Sequence, residues 1–162
     1  MKKSLKLLSI IAIATLFSCG GGEKKKETES TYGKKAPAQT EKKVAASERI
    51  ELSNKGVGPI TSVTLGAEID QDMAAHGMDV YNKMCLACHK VDKKFIGPAP
   101  TGILERRSPE WVMNMILNPE EMVKQDPLAK DLLMEFNGAP MANQGLTEED
   151  ARAVLEYFRT LK

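Results

Sequence analysis

Apolar and polar positions divide the chain into unlike stretches. Residues 5–17 are mostly apolar, with Lys2, Lys3 and Lys6 making the start basic, and the run is too short to serve comfortably as a membrane span. From residue 20 to about residue 47 apolar positions almost vanish, and Gly, Lys, Glu, Thr and Ala dominate. Such a segment cannot bury enough surface to offset its ordering entropy, and it reads as a solvated tether. Residues 50–66 are intermediate. Ile60, Val63 and Leu65 are apolar and the glycines mark turns, so an extended strap on a domain and further linker are equally open.

Beyond residue 66 the apolar spacing turns helical. Met73, Gly77, Val80, Tyr81 and Met84 recur at helical intervals and predict a first helix from near Ile69 to Met84. Ser108 and Pro109 stand at N-cap and first-turn positions before Trp111, Val112, Met115 and Ile116, and Asn118-Pro119 closes that helix. Residues 120–137 read as one or two short helices broken near Pro127. Thr147 caps a final helix whose first turn is acidic and whose stripe is Ala151, Val154, Leu155 and Phe158. No strand pattern or internal repeat is visible. The expectation is a small all-α domain over 67–162. A core of that size is marginal by itself, so a buried cofactor would be a useful addition.

The cysteines sharpen this picture. There are three, Cys19, Cys85 and Cys88. The basic start, the apolar run and Leu16-Phe17-Ser18-Cys19 form an export signal that resembles the lipobox of bacterial lipoproteins. That resemblance implies cleavage after residue 18 and a lipid anchor on Cys19, with the chain held at the periplasmic side of a bacterial membrane. Cys85 and Cys88 then remain, in Cys85-Leu86-Ala87-Cys88-His89, the attachment signature of a c-type haem. Two thiols at this spacing reach two vinyl groups on one porphyrin edge, and the adjacent imidazole sits under the iron.

From residue 67 to the end the chain resembles the class I mono-haem cytochromes c. The resemblance rests on Gly77 and Tyr81 ahead of the cysteines, Leu155 and Phe158 on the last helix, and Gly97-Pro98-Ala99-Pro100-Thr101-Gly102. It implies a small cytochrome c fold, with helices wrapped around one covalent haem c and its iron. Gly77 and Tyr81 would pack against Leu155 and Phe158 where the first and last helices cross. The Pro98 carbonyl would orient His89, the proximal ligand, and Pro100 replaces the Leu usual in that family. Met141, after the helix-breaking Asn137-Gly138-Ala139-Pro140, resembles the family's axial methionine and would be the distal ligand, although Pro here precedes Met. Met134 is its rival. His76 reads as a helix-surface residue, and Trp111 as either core or a donor to a haem propionate.

Two filled axial positions imply electron transfer rather than catalysis. The expected function is a membrane-tethered carrier of single electrons, with partners such as a quinol-oxidising complex, a haem–copper oxidase or a nitrogen-oxide reductase, and no role with nucleic acid. The alternative is a haem enzyme or gas sensor with a vacant or displaceable sixth position. A thioredoxin-type pair lacks its βαβ context, and a zinc site lacks a second ligand pair. Over residues 67–162 eleven basic side chains face sixteen acidic ones. That balance predicts docking to a basic or weakly charged partner face, with transfer slowing as salt rises.

Overall fold

The computed structural model describes residues 44–162. The expectations for the leader, for Cys19 and for the tether through residue 43 lie outside the described residues. Five α-helices follow in order: α1 (Gln71–Met84), α2 (Pro109–Leu117), α3 (Pro119–Gln125), α4 (Pro127–Glu135) and α5 (Glu148–Thr160), with a 3-10 turn at Ile103–Glu105 before α2. Among the described residues there is no strand, only an isolated bridge between Glu51 and Arg107.

Local sequence explains where the helices start. Asp70, Ser108, Asp126 and Thr147 each accept a backbone N–H in the first turn they cap. Three helices open on proline, whose fixed φ suits that position and whose missing N–H costs nothing there. The segment expected as one or two helices is therefore two, divided at Asp126. α4 ends where Asn137 and Gly138 adopt positive φ and the Gly138 amide bonds back to the Leu133 carbonyl.

α1 and α5 cross as the resemblance implies. A Cβ on Gly77 would collide with the Ala153 carbonyl, so only glycine lets the backbones approach this closely. Tyr81 is buried there, its ring centroid 5.4 Å from Tyr157 and 5.7 Å from Phe158. Glu156 is also buried. It accepts the Asp70 amide and pairs with Arg152 and Arg159, so its charge is satisfied at the junction.

Residues 44–66 lie on these helices as a strap, and the chain enters the fold by Ala46, ahead of the boundary expected at 67. Ala46 and Ile60 are buried, but backbone capture does most of the holding. Asn114 on α2 donates to the Lys55 and Ile60 carbonyls and accepts the Ile60 amide. One turn away on either side, Glu110 accepts the Val63 amide and Asn118 donates to the Val57 carbonyl. Helical i, i+4, i+8 spacing thus makes a polar stripe that reads an extended segment.

Candidate functional site

The segment after α1 closes into a tight loop. The Cys88 and His89 amides both donate to the Cys85 carbonyl, at 3.0 and 2.9 Å. This compact turn sets Cys85, half-buried, and Cys88, exposed, beside His89 on one rim. Burial first, then neighbouring Cys88, pushes the Cys85 thiol up to about 11. A thiol this hard to ionise does not suit a reactive redox pair.

His89 is held on several sides. Its Nδ1–H donates to the Pro98 carbonyl at 2.8 Å. Its ring lies where a Cβ on Gly97 would stand, so the glycine makes room for the imidazole. The Gly97 amide in turn donates to the Cys88 carbonyl at 3.0 Å. Pro100 is buried and its carbonyl accepts from Ile103, starting the 3-10 turn.

An apolar cleft opens beside this rim, and Cys85, Cys88, His89, Pro98 and Met141 all line it. Its walls are made by α2 and α4 through Val112, Met115, Ile116, Leu132 and Phe136, with Val154 and Phe158 from α5. Met141 is half-buried against the core. Met134 is 70% exposed and does not line the cleft. His76 is exposed and pairs with Asp150 at 3.0 Å. Trp111 is buried with its indole N–H given to Asp126 at 3.2 Å. Its donor is committed to tying α2 to the α4 cap, which assigns it to the core.

Several functional side chains were not anticipated. Arg106 and Arg107 both line the cleft, and no described carboxylate forms an ion pair with either. Arg107 is buried, donates to the Ala46, Arg49 and Arg106 carbonyls, and lies over the Trp111 ring. Burial acts against its charge, although Glu51 and Asp126 lie near enough to favour it, and a further negative group in the cleft would add to their effect. The cleft therefore combines apolar walls, two thiols and an imidazole on one rim, and cations elsewhere. These features fit a flat apolar macrocycle bearing anionic substituents, and haem is such a group. The Arg106-Arg107 pair was visible in the sequence, but only the strap explains why it turns inward. Ser47 also reaches the cleft, bonded to Glu135 through its amide and hydroxyl at 2.8 and 2.6 Å.

Comparison with known proteins bears on this arrangement. A family model described as cytochrome c matches residues 74–162. Among solved structures, a cytochrome c from Rhodothermus marinus is 40% identical, with a TM-score of 0.63 over 72% of this chain and 93% of that one. An engineered form of the Rhodothermus marinus protein is 39% identical, with a TM-score of 0.62 over 72% of this chain and 94% of that one. The engineered protein bound to a carbene intermediate is 39% identical, with a TM-score of 0.60 and the same coverage. Comparison with curated proteins gave no match.

Proposed function

The chain belongs to the cytochrome c family and binds one covalent haem c, and we propose that it carries single electrons between membrane redox complexes. When bound, the haem supplies a one-electron iron couple. The observation that carries the reading is the convergence of Cys85, Cys88, His89, Pro98 and Met141 on a single apolar cleft.

Cys85 and Cys88 would hold the group by thioethers. His89, its Nδ1–H fixed on the Pro98 carbonyl, is left to ligate through Nε2. Met141 would ligate from the loop after α4, and its place in the cleft favours it over exposed Met134. Arg106 and Arg107 would offset the carboxylates of the macrocycle. With a side chain bound on each side, no position is left for a substrate. Cys19 would anchor the chain by lipid at the periplasmic side of a bacterial membrane, near a quinol-oxidising complex, a haem–copper oxidase or a nitrogen-oxide reductase.

The partner's charge follows from the cleft lip rather than from the whole domain. Between residues 83 and 96 stand Lys83, Lys90, Lys93 and Lys94 against Asp92 alone. They accompany exposed Met84, Phe95 and Ile96, with the Lys90 ammonium 5.1 Å from the Phe95 ring centroid. Lys94 is paired with Glu135 at 3.4 Å, which leaves Lys83, Lys90 and Lys93 against Asp92, and screening over about 8 Å at physiological salt lets them count for more than distant carboxylates. The overall acidic balance pointed to a basic or weakly charged partner. The lip favours an acidic one.

One experiment separates carrier from gas-binding enzyme. The ferrous protein at neutral pH should leave carbon monoxide unbound, and its exchange with an anionic small-molecule oxidant should slow as salt rises. Ready binding of carbon monoxide would replace the carrier reading with a displaceable sixth position.

A further inference from the structure

Tyr81 meets the haem-attachment loop at both ends. Its carbonyl accepts the Cys85 and Leu86 amides at 2.9 and 3.0 Å. Its hydroxyl, at the far end of the side chain, donates to the His89 carbonyl at 2.6 Å. One residue therefore brackets the whole Cys85-to-His89 turn. The aromatic packing at the α1–α5 crossing explains the ring but not the oxygen, since a phenylalanine would make the same contacts with Tyr157 and Phe158. A buried phenol needs a partner, and the partner here is the main chain of the residue that carries the imidazole.

We propose that Tyr81 is a positioning residue for the axial histidine, its hydroxyl pinning the His89 carbonyl and thereby setting the direction of the imidazole. This rests on the reading of His89 as the proximal ligand. Two constraints act on the ring itself, the Pro98 carbonyl at Nδ1 and the face of Gly97. Neither fixes the His89 backbone. The His89 amide donates to Cys85 within the loop, so it moves with the loop. Tyr81 is the tie from that backbone to something rigid, because its ring is 1% exposed and clamped where α1 meets α5. The helix crossing thus sets the imidazole as well as holding the fold.

Tyr81→Phe in the haem-loaded protein removes the oxygen and keeps the ring. The expected result is an altered spread of haem methyl resonances in the ferric proton NMR spectrum. The reduction equilibrium should move toward the ferrous form, because a less firmly aimed imidazole donates less to ferric iron. Losing one neutral hydrogen bond sets the scale at up to about fivefold, roughly 40 mV for a one-electron couple. Tyr157→Leu disturbs the same crossing, 5.4 Å from the Tyr81 ring, from a position outside the cleft lining and without touching the Tyr81 hydroxyl. It should lower the denaturation midpoint more while leaving methyl pattern and potential at their wild-type values. Wild-type pattern and potential in Tyr81→Phe would overturn the proposal alone, as would the same changes in Tyr157→Leu. Retention of the wild-type low-spin spectrum in His89→Ala would remove the ligand reading and this proposal together.

Discussion

The two sides of the cleft are built differently. On the His89 side every approach is fixed: Nδ1 on Pro98, ring on Gly97, carbonyl on Tyr81, and Tyr81 itself locked into the α1–α5 crossing. On the Met141 side the chain leaves α4 through Asn137 and Gly138 at positive φ and runs exposed on both flanks of a half-buried methionine. Its side-chain ties are few. Asn143 reaches the Leu117 carbonyl at 3.3 Å and accepts the Gly145 amide at 2.8 Å. Stiffness is concentrated around His89, the proposed proximal ligand, and local opening belongs to the other side.

Two glycines break or sharpen this contrast most strongly. Gly97→Ala puts a methyl into the imidazole and should cost about 3 kcal/mol, with loss or distortion of the low-spin spectrum. Gly145→Ala, at φ 66° with nothing within 4 Å of the added methyl, should cost only about 1 kcal/mol of conformational strain and leave the spectrum intact. Absorbance and denaturant melts on both variants check the pair. Equal spectral damage from the two would erase the asymmetry.

Next in size is Asn114→Ala. It leaves the Lys55 and Ile60 backbone groups without their side-chain partner, with an expected loss of about 2 kcal/mol and an unchanged haem spectrum. A shifted reduction potential in that variant would make the strap part of the His89 frame. The smallest effect is in acid. Although burial opposes it, the Ser47 amide and hydroxyl and Lys94 hold the Glu135 carboxyl below its ordinary value. A depressed carboxylate stabilises the fold above its unfolded pKa, and that contribution is lost as pH falls through its folded one. Protection of the Ser47 amide, measured as exchange relative to its intrinsic rate at each pH, should therefore fall below the usual carboxylate range before protection of the His89 loop does. Simultaneous loss would mean that strap and loop open as one unit.

The sequence was most legible where a residue type has one physical use. Ser108, Pro109 and Thr147 announced helix starts, Gly77 a close crossing, and Cys85, Cys88 and His89 a cluster that the structure gathers on one cleft rim. It was least legible where long-range backbone capture decides the structure. Asn114 reads as an ordinary polar position on α2, and only its partners 54 and 59 residues away reveal its role. Tyr81 was read as a packing aromatic, since nothing local tells a hydroxyl which carbonyl it will meet. Arg107 likewise turns inward because Ala46 and Arg49 offer it carbonyls.

The account depends most on Met141 as the ligand of the softer side. The direct measurement is the weak near-red absorption of ferric iron bound to methionine sulfur, together with carbon monoxide binding by the ferrous form, in Met141→Ala and Met134→Ala. The account predicts that Met141→Ala loses the band and binds carbon monoxide while Met134→Ala matches wild type. A surviving band in Met141→Ala, or its loss in Met134→Ala, would contradict it.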